Sequence, residues 1–253
     1  MSEPVLVTRD GSVMTVTLNR PERRNPLSLE MIGALRAAIG DADAAVIVIA
    51  ATGPAFSAGH DLREMSARDP AFYSELFGAC GDLRLAIHGL PQPVIACVQG
   101  IATAAGCQLV AACDLAIASD TARFATPGVR VGLFCTTPMV EVARVVGRKR
   151  AMQMLLTGEP IDADTAAAWG LVNEVVPPGR LAERTHRLAT QIATASPLVL
   201  ATGKRAFYEN LEPGLSDAYD DAGRIMAASA GYDDAQEGFA AFLEKRPATW
   251  TGT

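Results

Sequence analysis

Ala55-Phe56-Ser57-Ala58-Gly59-His60-Asp61-Leu62-Arg63 follows an apolar run and precedes a helix start that Asp61 is placed to cap. Small residues around Gly59 let the chain turn sharply and bring its backbone close to a ligand. N–H groups at such a strand-to-helix corner point outward, where they can hold a carbonyl oxygen as negative charge builds on it. A second corner follows. Val94-Ile95-Ala96-Cys97-Val98 reads as a strand, Gln99-Gly100 ends it, and Ile101 to Leu109 runs through small residues into an apolar helix. Two such corners can supply the two donors of an oxyanion hole; the same residues also suit close helix–strand packing.

Other residues nearby could move protons. The His60 imidazole, with an ordinary pKa of about 6.5, suits acid–base work; alternatively only its backbone matters and the ring faces solvent. Glu64 lies one helical turn further on and reads either as a second acid–base group or as an exposed helix residue. Thr137-Pro138 reads as a cap and first helical residue, with Cys135 and Thr136 before it and Glu141 in the early turns, where the helix dipole favours a carboxylate.

The elements that must position these groups are legible in outline. Val5 to Thr8, the Asp10-Gly11 turn and Val13 to Leu18 predict a β-hairpin, and Ser28 caps a helix through Ile39. Strands at Ala45–Ala50, Val94–Val98, Leu115–Ala118 and Asn173–Val176 alternate with helical stretches, which predicts βαβ units and a mostly parallel sheet in an α/β fold. From about Leu181 onward only helices are predicted, with no further strands to cover.

At 253 residues, 49% hydrophobic and 20% charged, the chain can build one sizeable core. A net charge of -6 argues against nucleic-acid and membrane-surface roles, and no apolar run approaches the length of a membrane span. The basic cluster Arg148-Lys149-Arg150 at a helix start reads as a solvated face, the alternative being a phosphate contact. The five cysteines form no CxxC pair and read as buried free thiols in a reducing compartment. Three widely spaced histidines predict no metal site. Met1-Ser2-Glu3-Pro4 shows no signal peptide, so a cytoplasmic location is expected.

Leu18-Asn19-Arg20-Pro21-Glu22-Arg23-Arg24-Asn25-Pro26-Leu27-Ser28 resembles the N-terminal signature of the crotonase (enoyl-CoA hydratase/isomerase) superfamily. Phe56 to Leu62 and Gly100 to Gln108 match that family's two oxyanion segments, and further matches are Phe124 to Pro127, Leu156 to Pro160 with Ala166 to Val172, and Glu237 to Arg246. Gly132 to Pro138 and Ala105 to Val110 resemble a mitochondrial branch described as enoyl-CoA hydratase domain-containing. The resemblance covers nearly the whole chain. It implies a ββα superhelix core over residues 1–180 and a C-terminal helical region over 181–253 that assembles a homotrimer or homohexamer. It also implies an acyl-CoA thioester as substrate, with no separate cofactor. The oxyanion donors would be the N–H groups of His60 and Ala105. Arg24, Ala58, Asp61 and Leu62 would lie near the adenine and pantetheine, with Arg63 and Lys245 near phosphates.

The chain departs from this pattern at the acid–base positions. Hydration of an enoyl thioester needs one group to activate water and another to protonate carbon. The family's two hydratase glutamates correspond to Gln108 and Gly128. An amide cannot exchange a proton at neutral pH, and glycine has no side chain. The expected function is therefore hydratase/isomerase-like chemistry on acyl-CoA with conventional hydration weak or absent, the alternative being a non-catalytic acyl-CoA-binding oligomer. Serine proteolysis and dinucleotide binding are disfavoured, because Ser57 is not in a Gly-x-Ser-x-Gly elbow and Gly100 to Gly106 lacks G-x-G-x-x-G spacing.

Overall fold

The computed structural model describes residues 3–253. The hairpin β1 (Val5–Asp10) and β2 (Val13–Leu18) is followed by α1 (Leu29–Gly40), capped by the Ser28 hydroxyl, which accepts the Met31 N–H at 3.2 Å. Then come β3 (Val46–Ala51), β4 (Ala55–Ser57), α2 (Leu62–Met65), α3 (Pro70–Gly89), β5 (Val94–Val98), β6 (Ile101–Thr103) and α4 (Ala105–Ala112). β7 (Leu115–Ser119), β8 (Arg123–Ala125), α5 (Thr136–Val146), α6 (Arg148–Thr157), β9 (Ile161–Asp162), α7 (Ala163–Trp169) and β10 (Glu174–Val176) complete the sheets. Four helices end the chain: α8 (Leu181–Ile192), α9 (Pro197–Glu209), α10 (Leu215–Ser229) and α11 (Asp233–Glu244).

Long and short strands go to different sheets. One sheet has six strands in the order β1-β2-β3-β5-β7-β10, parallel except for the hairpin. The other has four in the order β4-β6-β8-β9, with β4-β6-β8 parallel. Each turn of the fold thus gives a long strand, a short strand and then helix. The long strands were expected within a residue or two. The short ones were not, because two or three residues are too few to show an alternation. Phe56 on β4 and Phe124 on β8 are fully buried and anchor the short sheet, each burial contributing about 1.5–3 kcal/mol.

The four closing helices differ in what lies beneath them. The expectation that no strand lies under this region fails for α8. Leu181 and Ala189 pack against Val13, Val48, Ile95 and Cys97 on the outer face of the six-stranded sheet. β-strand side chains alternate between faces, so the large sheet has a second apolar side that needs a cover. Only α9 to α11 lie beyond it. All five cysteines are free and buried.

Candidate active site

Three turns meet at one end of the short sheet. Because β4, β6 and β8 run parallel as neighbours, their C-terminal ends lie side by side, and the chain leaves them through His60, Ala105 and Gly128 respectively. The Ala104 N–H donates to the Ala125 carbonyl at 2.9 Å, which ties the second turn to the third. Ala104 has φ 48 and ψ -118, a conformation that costs a residue with a Cβ about 1–3 kcal/mol and turns the Ala105 N–H outward at the first residue of α4. Gly59 has φ 86, and a Cβ there would lie 2.9 Å from the Ala104 Cβ and 3.4 Å from the Ala105 nitrogen. The two turns are therefore in contact. Among the described residues, neither the His60 nor the Ala105 N–H donates to a protein acceptor.

A buried asparagine holds the first turn. Asn25 has φ 51; its amide accepts from the Arg20 N–H at 2.7 Å and donates to the carbonyls of Thr52 and Ala55, both at 2.9 Å. The Ser57 hydroxyl donates to the Asn25 carbonyl at 2.8 Å and accepts the Gly59 N–H at 3.2 Å. The Leu27 N–H reaches the Gly59 carbonyl at 2.8 Å. Sequence reasoning missed this role for Asn25. The available signal was an asparagine, a residue that tolerates left-handed backbone, ahead of Pro26 at a chain reversal.

The turns open into a cavity of about 370 Å³ with apolar walls, including Met65, Phe77, Val131, Leu133 and Phe134. Its lining holds no carboxylate; the ionisable members are His60, Arg130 and Cys135. Arg130 is committed to Glu159 and to the Thr157 carbonyl. Cys135 accepts the Gly128 N–H at 3.3 Å, and burial pushes its thiol up. Glu22, Arg23, Arg24, Pro26, Ala58, His60, Asp61, Leu62 and Arg63 line an adjoining groove. The groove and the cavity share Ala58, His60 and Leu62, so they join at the first turn.

Several expected residues are placed differently. The His60 ring does not face solvent. Its Nδ1 lies 3.1 Å from the Leu27 carbonyl and so carries the proton, its edge packs on Phe77, and its Nε2 is buried without a partner. Burial holds its pKa below the ordinary imidazole value, with the Arg84 charge acting in the same direction against the Leu27 bond. Glu64 accepts the Leu29 N–H at 3.3 Å at the start of α1. Glu141 is buried on α5, 3.8 Å from His88, and is absent from the cavity wall. α5 begins at Thr136, so Thr137 is not its cap; Cys135 holds the cap position and makes no side-chain cap hydrogen bond. Gln108 is buried, accepts from the Cys80 thiol at 3.7 Å, and does not line the cavity. Gly128 does line it, under the carbonyl of Leu133. Arg24, Ala58, Asp61, Leu62 and Arg63 come together in the groove, with Asp61 paired to Arg23 and capping α2. Lys245 stands at the exposed end of α11, outside both cavities. No cluster of three metal-binding side chains occurs among the described residues, and no described helix is long and apolar enough to cross a membrane.

The two sheets with their connecting and closing helices form a crotonase fold, and the chain belongs to the enoyl-CoA hydratase/isomerase family, which matches residues 8–253. Family membership makes it a crotonase-like protein of the acyl-CoA-binding type. It is 46% identical over 258 aligned positions to the Rattus norvegicus protein named enoyl-CoA hydratase domain-containing protein 3, mitochondrial, covering 99% of this chain and 86% of the relative. A solved enoyl-CoA hydratase of Mycobacterium smegmatis superposes with a TM-score of 0.96 at 49% identity, covering 98% of this chain and 99% of the other. The human enoyl-CoA hydratase domain-containing protein 3 superposes with a TM-score of 0.95 at 45% identity, covering 98% and 100%. The expected cytoplasmic location is overturned by these relatives, since the rat and human proteins are named as mitochondrial.

Proposed function

We propose that the protein binds acyl-CoA thioesters with the acyl chain in the apolar cavity and the nucleotide end in the arginine-bearing groove. The thioester oxygen is held by the N–H groups of His60 and Ala105, polarising the carbonyl toward an enolate. The observation that carries this reading is the pair of undonated N–H groups on touching turns, placed where cavity and groove join. The reaction is hydratase/isomerase-like without conventional hydration, because Gln108 and Gly128 stand at the glutamate positions. A non-catalytic acyl-CoA-binding role is the second reading, favoured by the absence of any carboxylate from the cavity wall.

Titration calorimetry and mass analysis with a panel of acyl- and enoyl-CoA thioesters test both. Stoichiometric binding with mass change supports an enzyme, binding without it supports the second reading, and no binding sinks the proposal. Ala105→Pro removes one donor at a helix position that accepts proline. Any turnover should then fall by about 10²–10³, as for other lost oxyanion donors; unchanged turnover in folded protein counts against the assignment.

The same reading includes a homotrimer or homohexamer. Support comes from α10 and α11, where Leu215, Tyr219, Met226, Phe242 and Leu243 are more than 70% exposed, more apolar surface than a lone chain ordinarily shows. Sedimentation should give a trimer or hexamer at micromolar protein, and a stable monomer contradicts it.

A further inference from the structure

The least expected group in the interior is Arg84. It sits on α3 and is 2% exposed, with its side chain lying against the first turn of α4. Its Nη2 donates to the Ala105 carbonyl at 2.8 Å, while Nε and Nη1 are buried without partners. Among the described residues no carboxylate oxygen lies within 4.0 Å of it. Glu141, whose charge acts on it from further away, has His88 as its near neighbour. An unpaired buried charge is costly.

Its location adds to that cost. A cation beside a helix N-terminus opposes the positive end of the helix dipole. Both fields, however, favour negative charge beyond the Ala105 N–H, where a thioester oxygen would gain it. A fixed cation in a dry interior acts strongly there, and selectively on the charged form rather than on the neutral thioester. The field also reaches the other donor residue, since the Arg84 charge disfavours protonation of His60. The guanidinium does not line the cavity, so no part of this depends on touching the acyl group.

We propose that Arg84 is a positioning and electrostatic residue of the oxyanion site, holding the first turn of α4 through the Ala105 carbonyl and stabilising negative charge on the bound thioester oxygen. The inference rests on the acyl-thioester reading above. The test uses the full chain and 4-(dimethylamino)cinnamoyl-CoA, whose absorption moves to longer wavelength as its carbonyl is polarised. This readout needs no turnover. Wild-type protein should bind it with a red shift. Arg84→Gln keeps a donor for the Ala105 carbonyl but removes the charge; Arg84→Met removes both. Each should bind the probe with little change in Kd yet lose most of the shift, while Arg84→Lys should retain it. A full shift in Arg84→Gln, or a loss in Arg84→Lys as large as in Arg84→Gln, overturns the proposal while leaving thioester binding intact. That comparison decides the matter even where Arg84→Met does not fold. Failure of the wild-type protein to bind any CoA thioester instead overturns the underlying reading, and this inference with it.

Discussion

Crotonyl-CoA given to the wild-type protein is expected to be hydrated at a very small fraction of the rate of a two-glutamate hydratase. A positioned acid or base typically supplies about 10²–10⁴ in rate, and hydration needs both. At one position the Gln108 amide is turned toward Cys80, out of the cavity wall. At the other, the structure excludes a side chain altogether. A Cβ on Gly128 would lie 2.0 Å from the Leu133 carbonyl and 2.8 Å from the Cys135 sulfur. The Gly128 backbone is also engaged in both directions, accepting from Leu133 at 3.0 Å and donating to Cys135. Gly128→Glu should therefore destabilise the loop rather than restore activity. Even Gly128→Ala should cost about 1–3 kcal/mol, the usual penalty for forcing atoms into a packed site, read as a lowered Tm. The assay is loss of the enoyl absorbance with time. Brisk hydration by the unmodified protein would refute the expectation. It would direct attention to His60, because Glu64 and Glu141 are committed elsewhere.

The second large effect is expected at Gly59. Its φ of 86 disfavours any side chain, and a Cβ would press on Ala104 and on the Thr103 carbonyl, 2.9 Å from each. Gly59→Ala must separate two turns that now touch, moving the His60 and Ala105 donors apart. Loss of one oxyanion donor costs about 10²–10³ elsewhere, and a loss of that order is expected in any turnover, with a clear drop in affinity for butyryl-CoA by calorimetry. Circular dichroism separates this from unfolding. Ala104→Gly serves as the contrast: at φ 48 it relieves strain and should keep binding. Equal binding by Gly59→Ala and wild type would mean that the two turns do not act as one site.

Much of the scaffold was legible from residue patterns. The hairpin, the Ser28 cap, the buried long strands and the Asp61 cap each follow from local chemistry that needs no distant partner. The short sheet escaped because its strands are defined by their neighbours, with too few residues to carry a period. The Thr137 cap failed for a related reason. The α5 start is set by the Phe134–Cys135 turn folding under Gly128, a contact between positions that local capping rules do not see.

The sequence by itself determined which backbone groups could form a donor pair and, through the family resemblance, placed an amide and a glycine at Gln108 and Gly128, residue types that cannot exchange a proton at neutral pH. Only the tertiary structure decided that the two turns touch, that Gly128 cannot be replaced without moving Leu133, and that the His60 ring turns inward, with Nδ1 on the Leu27 carbonyl and Nε2 buried. It also decided that an arginine unremarkable on α3 is an unpaired cation behind α4. The physical reason is common to all four. Parallel neighbouring strands bring distant corners to one end of a sheet, and whether a side chain there is charged, crowded or dry depends on what the rest of the chain packs against it.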